Sequence, residues 1–372
     1  MSKAALSLER VYFDPALEET PWGLRALEAF ASFRPEPRER ESLKEELLFG
    51  CQDPLAEGKK VLFLSPYPGQ LVKRCPGTKG YTCCGYWVIN ALLNCPMDCS
   101  YCILQGYLQE PYIVLNLPLD KAFEEVRRLL DLRPRHILRL GTGELSDSLA
   151  LDPWIGFNQE AISFFSRLEG ALLELKTKAQ EVDHLLGLDH RSRTVISWSL
   201  NPQRIVEKEE IYTAPLRQRL EAARRCQEAG YPLGFHFDPI IEYPGWEEDY
   251  RGLIEELFRH VDPRGVIWIS LGTLRYPPGL ERVIRERFPA TEVLQGELLP
   301  AEDGKFRYLK PLRIGIYRRV VSWLREHYED LFIYLCMERE DVWQEVFGRR
   351  PGGTAALTDL FDSRVREFFR RW

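Results

Sequence analysis

No apolar run in this sequence approaches the roughly 20 residues that a membrane-spanning helix needs, so no membrane association is expected. The N-terminus lacks a signal-peptide core, because the apolar stretch at residues 4–8 is too short and charge follows it. A cytoplasmic location is the expectation. Positive charge is not in excess: 50 Lys and Arg stand against 56 Asp and Glu, a net charge of −6. This excludes a protein that coats nucleic acid by bulk charge but leaves room for a local basic cleft. Internal repeats and low-complexity tracts are absent. Nine cysteines, an odd number without an export signal, argue against a disulfide framework and for metal ligation or thiol chemistry. Six of them, Cys75, Cys83, Cys84, Cys95, Cys99 and Cys102, fall in one short stretch. Cys51, Cys226 and Cys336 stand alone, and each reads first as a small buried apolar residue.

What is present is an ordinary globular balance, 45% hydrophobic and 28% charged. The 372 residues suffice for one large core with one or two appended modules. Residues 1–85 read as an irregular N-terminal extension with a helix at 21–33 and a strand at 60–64. From residue 86 a regular alternation begins. Strands are predicted at 86–93, 136–140, 171–176, 194–199, 232–237 and 266–271. Helices are predicted between them at 121–130, 157–167, 181–186, 215–229 and 246–260. Strands alternating with helices indicate right-handed βα units and a parallel sheet. Six units fall short of the eight of a closed barrel. The expected fold is therefore α/β, a partial (β/α)6 TIM-like barrel over residues 86–275. A C-terminal extension, 276–372, is expected to hold a hairpin within 292–319, a helix at 318–327 and a strand at 331–335.

The first barrel strand leads straight into Asn94-Cys95-Pro96-Met97-Asp98-Cys99-Ser100-Tyr101-Cys102, and chemistry in such sheets sits at the carboxyl ends of strands. Three thiolates at CxxxCxxC spacing can hold three corners of a [4Fe-4S] cubane, which usually takes four cysteines. The fourth iron is then open to the amino and carboxylate groups of S-adenosylmethionine (SAM). One electron delivered there cleaves a carbon–sulfur bond to give a 5′-deoxyadenosyl radical. The alternative is a structural zinc site with Cys83 or Cys84 as fourth ligand.

These residues resemble the radical SAM superfamily, and the likeness extends to the spore photoproduct lyase family, DNA-repair enzymes that reverse a thymine dimer by hydrogen abstraction. It is carried in order by Arg10-Val-Tyr-Phe-Asp14, Cys102-Ile-Leu-Gln105, Val182-Asp-His-Leu-Leu186, Ser199-Leu-Asn201, Gly230-Tyr-Pro-Leu-Gly-Phe235, Pro239-Ile with Gly245-Trp-Glu247, and Arg313-Ile-Gly-Ile-Tyr-Arg318. Together these span roughly residues 10–340. The resemblance implies a barrel of the radical SAM type and cluster ligation by Cys95, Cys99 and Cys102. It places Tyr101 near the adenine of SAM. Gly143, Glu144 and Ser146 lie in the glycine-rich segment that receives the SAM amino group. Lys178, Ser199 and Asn201 match further SAM contacts. Apart from the resemblance, His236 and Asp238 at the end of the fifth strand read as a polar pair facing SAM or substrate, with buried, satisfied polar residues as the alternative. A reductant such as a ferredoxin or flavodoxin, a DNA substrate and a monomeric state are also expected.

Three departures stand out. The family's hydrogen-returning cysteine after the second strand is matched here by Glu144, and a carboxylate cannot donate a hydrogen atom that way. The tyrosine after the third cluster cysteine is Ile103, and a hairpin tyrosine is Ile314. A diverged relative with another hydrogen donor is therefore expected, the candidates being Cys336, Cys75, Cys83 and Cys84. The last three also suit a second metal, or no special role. Lys305, Arg307, Lys310, Arg313, Arg318 and Arg319, interleaved with Phe306, Tyr308 and Tyr317, suit a DNA-binding hairpin. Lys310, Arg313, Tyr317 and Arg318 are its substrate-contact candidates, a solvated charged hairpin being the plainer reading. A radical SAM enzyme acting on RNA, a protein side chain or a small molecule, and a non-catalytic metal-stabilised DNA-binding protein, are the alternative functions.

Overall fold

The computed structural model describes residues 8–78, 80–133 and 135–371. Most of residues 4–8, read above as too short for a signal core, lies outside the described residues. Six parallel strands stand side by side in chain order: β1 (Trp87–Ile89), β2 (Leu138–Gly141), β3 (Ala171–Thr177), β4 (Thr194–Ser199), β5 (Leu233–Ile240) and β6 (Val266–Thr273). A further parallel strand, β7 (Ile333–Leu335), extends the sheet beyond β6, and Val72–Arg74 lies antiparallel on β1. The sheet is thus open and curled, the partial barrel the sequence predicts. Its strands are largely buried, every residue of β4 and β6 included, and Val266–Leu271 accordingly carries a near-continuous apolar run.

Helices α1 (Lys121–Leu132), α2 (Phe157–Phe165), α3 (Leu216–Glu228) and α4 (Trp246–His260) alternate with the strands. On α4 the buried residues Trp246, Tyr250, Leu253, Ile254 and Leu257 form one stripe at helical spacing. Its first turn is acidic and its last basic, matching the helix dipole. The predicted helix at 181–186 is instead a pair of tight turns, with Leu185 N–H on Val182 O and Leu188 N–H on Leu185 O. So short a segment does not repay helix nucleation, and burial of Val182 and Leu185 fixes it as a turn.

Two regions differ from the sequence reading. The N-terminal residues are not irregular: Arg10–Phe13 and Val61–Pro66 lie parallel in a second sheet completed by Ile113–Leu117. The apolar run at 86–93 also divides, β1 joining the barrel while Leu92–Leu93 pairs with Ile113–Leu117. In the C-terminal part, the hairpin is confined to Leu298–Pro300 and Phe306–Tyr308. Helix α5 (Leu280–Arg287) precedes it, and helix α6 (Lys310–His327) begins eight residues earlier than the predicted helix start at 318. Gly315, read as a hairpin glycine, lies inside α6, where burial of Ile316, Tyr317, Val320 and Leu324 outweighs a glycine penalty of about 1 kcal/mol.

The chain ends in a helix the sequence reading did not predict, α7 (Gly353–Arg371). It packs against the sheet through Phe361 on Trp268, Phe332 and Tyr334. Arg364 donates to the carbonyls of Val266 and Ile267, and Asp362 accepts the Ile137 N–H. Among the described residues no helix is long and apolar enough to cross a membrane.

Candidate active site

The cysteine loop starts on Asn94, whose φ of +66° is one that asparagine tolerates. The Asn94 side chain is pinned on both ends: Lys59 Nζ donates to Oδ1 at 2.7 Å, and Nδ2 donates to Pro111 O at 2.8 Å. Oδ1 also accepts the Cys95 N–H at 2.8 Å. Asp98–Cys99 then pairs antiparallel with Glu210–Ile211, and Cys102 N–H closes a turn on Cys99 O at 3.0 Å. Cys95, Cys99 and Cys102 are free thiols, and all three line one cavity of about 280 Å³ at the carboxyl ends of the barrel strands. Burial pushes the Cys95 thiol up to about 12 and that of Cys99 well above its ordinary value.

The same cavity is bounded by Tyr101, Gly143, Glu144, Ser146, Lys178, Ser199 and Asp238. Seven of the eight expected SAM contacts are thus brought together. Gly143 is required by packing, because a Cβ there would lie 2.7 Å from Lys176 Cβ. The segment after β2 is held by Asp147, which accepts from Leu149 N, Ala150 N, Thr177 Oγ1 and Lys178 N at 2.7–3.0 Å. Within this fixed loop the Ser146 hydroxyl is buried and, among the described residues, has no hydrogen-bond partner. A buried hydroxyl of this kind in a cavity wall has its donor and acceptor free for a ligand atom or a water. Glu144 meets Lys176 Nζ at 2.5 Å. Burial disfavours the Lys176 charge, but Glu144 prevails and holds its pKa above the ordinary value.

The eighth expected contact, Asn201, does not line the cavity. Its amide Nδ2 donates to Tyr101 Oη and to Glu210, and its Oδ1 accepts from Tyr250 Oη at 2.7 Å. Tyr101 in turn donates to Glu210, which is fully buried against Arg219 at 2.6 Å. Burial opposes ionisation of Glu210, but Arg219, Lys178 and the hydrogen bonds from Tyr101 and Asn201 outweigh it and hold the carboxyl at about 2. Asn201 therefore positions Tyr101. His236 and Asp238 also part company. His236 Nε2 bonds the buried Glu174, which accepts from Ser197 and Trp268 as well. Asp238 faces the cavity in a two-point pair with Arg275 at 2.9 and 3.0 Å.

None of the four candidate hydrogen donors is in the cavity wall. Cys336 lies behind Arg275, its Sγ 3.6 Å from Nη2, and the next residue, Met337, lines the cavity. Cys75, Cys84 and Cys336 all feel the charge of Glu144, and burial is the main cause that raises each thiol. Cys83 packs over Gly77, where a Cβ would lie 2.7 Å from its sulfur.

The substrate-side candidates need the largest correction. The segment Arg313-Ile-Gly-Ile-Tyr-Arg318 is helix, not hairpin. Arg313 is 5% exposed and Tyr317 1%. Both bond Glu338, and Arg313 also donates to Tyr308 O at 2.6 Å. These two groups are internal struts. Lys310 and Arg318 are exposed but paired with Asp341 and Glu345. The cations that do face the cavity are Lys176, Lys178, Arg275 and Lys305. Arg275, just past the end of β6, was findable from strand-end position alone. Lys305 Nζ reaches Thr78 Oγ1 at 2.8 Å, a contact between segments too far apart in the chain to be foreseen.

A preformed zinc site does not fit. Tetrahedral zinc with Zn–S of about 2.3 Å gathers its sulfurs to roughly 3.8 Å of one another. Among the described residues, the one group of three His, Cys, Asp or Glu ligand atoms within 4.8 Å of one another is His136, Asp359 and Asp362, between α7 and the start of β2. A cubane spreads its ligands over different irons, and the free thiols around an open cavity suit it.

A family model described as spore photoproduct lyase matches residues 84–320. The chain is 29% identical to spore photoproduct lyase of Geobacillus sp. (strain Y412MC61) over 316 residues, covering 83% of this chain and 89% of that one. To the spore photoproduct lyase of Bacillus subtilis (strain 168) it is 31% identical over 244 residues, 65% of this chain and 69% of the relative. A solved double mutant of spore photoproduct lyase with bound AdoMet and dinucleoside spore photoproduct has the same fold. Its TM-score is 0.79 at 24% identity, over 88% of this chain and 98% of that one. The chain belongs to the spore photoproduct lyase family, radical SAM enzymes of DNA repair.

Proposed function

We propose that the protein holds a [4Fe-4S] cluster on Cys95, Cys99 and Cys102, binds SAM, and acts as a lyase on cross-linked or otherwise damaged DNA bases. The observation that carries this is a single cavity with three free thiols on one wall and the orphan Ser146 hydroxyl on another. The cluster with SAM supplies, when bound, a hydrogen-abstracting 5′-deoxyadenosyl radical. The chain's own residues bind and orient. Ser146 takes a polar atom of SAM, and Glu144 offers its carboxylate to the ammonium in competition with Lys176, a charge-assisted contact. Gly143 allows close backbone approach, and Tyr101, braced by Glu210 and Asn201, presents its ring. Lys178 and Ser199 complete the lining, with Asp238 fixed by Arg275.

A relative is solved with dinucleoside spore photoproduct bound, which supports a dinucleoside-sized lesion as substrate. A damaged base must leave the stack to reach such a cavity. Arg275 and Lys305 are the cations placed to meet it, with Lys310 and Arg318 outside along the backbone. A ferredoxin or flavodoxin is the proposed reductant. Because Glu144 stands where relatives carry the hydrogen-returning cysteine, a thiol behind it, Cys336, Cys84 or Cys75, is the proposed donor. The same departure favours a second reading, identical radical chemistry on a different substrate.

Anaerobic reconstitution tests the proposal. Wild type should show a [4Fe-4S] signal and cleave SAM to 5′-deoxyadenosine, faster with UV-irradiated DNA. Each of Cys95→Ala, Cys99→Ala and Cys102→Ala should lose the intact cluster signal and SAM cleavage. A full cluster in all three variants would remove the assignment.

A further inference from the structure

On one side the cysteine loop is held by residues 209–211: Asp98–Cys99 pairs with Glu210–Ile211, and Ser100 donates its N–H to Glu209 O at 2.8 Å and its hydroxyl to the Glu209 carboxylate. The other side is held by a side chain from far along the sequence. Arg287, the last residue of α5, sets its Nη1 and Nη2 on the two oxygens of Asp98 at 3.1 and 2.8 Å. Its Nε meets the Asp53 carboxylate at 3.0 and 2.9 Å, and Nη1 also donates to Gln105 Oε1. Gln105 passes the contact on: its Nε2 donates to Ser100 O at 2.8 Å and to Cys99 O at 3.2 Å. The Arg287 and Asp98 side chains are 8% and 7% exposed. One guanidinium therefore joins the N-terminal part of the chain, the residue between the first two cluster cysteines, and the C-terminal part.

We propose that Arg287 is a positioning residue for the cluster, fixing the loop so that Cys95, Cys99 and Cys102 face the cavity together. The proposal rests on the reading of those cysteines as cluster ligands. The planar fork of arginine matches a carboxylate at two points while a third N–H serves another partner, which the point charge of lysine cannot do. Without it Asp98 would be a buried carboxylate lacking its cation, and the backbone carrying Cys99 would shift to rehydrate it. Ligands to a metal centre tolerate only about 0.5 Å of such movement.

The test compares reconstituted wild type with Arg287→Lys, Arg287→Met and Asp98→Asn. Arg364→Met, which removes buried contacts to Val266 and Ile267, is the control for general destabilisation. Two readouts are followed without oxygen: the rate of iron loss to a chelator, and the change in the EPR spectrum of the reduced cluster on adding SAM. Arg287→Met and Arg287→Lys should lose iron on the order of tenfold faster and show a broadened or missing SAM response. Arg364→Met should lower the melting temperature and leave both readouts alone. If Arg287→Met does not fold, Arg287→Lys and Asp98→Asn carry the test. Wild-type iron retention and SAM response in the foldable variants would overturn the proposal. A wild type that takes up no [4Fe-4S] cluster would overturn the cluster reading instead.

Discussion

Ser146 and Asn201 lie near one cavity, and hydrogen bonding separates their roles. Asn201 has its amide fully engaged inside the protein, while Ser146 Oγ has no partner. Ser146→Ala should therefore weaken SAM binding by about 0.5–1.5 kcal/mol, the net value of one hydrogen bond, with cluster content unchanged. Equilibrium binding to the reconstituted protein measures it, and equal affinity would remove Ser146 from the contact set. The thiols around Glu144 make a second expectation. In deuterated buffer wild type should place solvent deuterium in the repaired base. One of Cys336→Ala, Cys84→Ala and Cys75→Ala should keep SAM cleavage while losing clean product. If all behave as wild type, hydrogen returns from 5′-deoxyadenosine or a non-thiol group.

At the scale of elements, α6 shows where local signals mislead. Gly315 falls inside the predicted hairpin region 292–319, yet it lies within the helix, and Pro311 sits in the first turn, where its missing N–H costs nothing. Gly315 has no atom within 4 Å of a would-be Cβ and no left-handed φ. Gly315→Ala should thus stabilise the protein by about 0.5–1 kcal/mol, read as a raised melting temperature. Destabilisation would mean the segment is not helical. By contrast β3, β4 and β6 were legible, because each is a short segment rich in apolar and β-branched residues set between helix patterns. The cysteine loop was legible because its CxxxCxxC spacing lies whole within one short segment. The N-terminal sheet was not, since it joins short strands far apart in the chain, Arg10–Phe13, Val61–Pro66 and the five-residue Ile113–Leu117. The Arg287 clamp was beyond reach for another reason: its partners Asp53 and Asp98 lie 234 and 189 residues away.

Across the whole molecule, polar groups buried inside the barrel connect stability to pH. Glu174 and Glu210 are both held at about 2, against an ordinary 4.5. For Glu174 burial works against the charge, and His236 with the hydrogen bonds around it prevails. A depressed carboxyl contributes stability that is complete above the unfolded value and lost as pH falls through the folded one. Stability should therefore decline between about pH 4.5 and 2, and Glu174→Gln should flatten that decline in acid titrations followed by near-UV circular dichroism. An unchanged slope would mean that Glu174 titrates normally. Membership of the spore photoproduct lyase family makes this an enzyme whose chemistry can be read on a defined substrate. The most direct measurement is anaerobic turnover of dinucleoside spore photoproduct by the reconstituted protein, quantifying thymidine and 5′-deoxyadenosine together. Thymidine that accumulates only with SAM and reductant present is the expected result. SAM cleavage that leaves the dinucleoside untouched would contradict the DNA-lesion assignment and leave radical chemistry on another substrate.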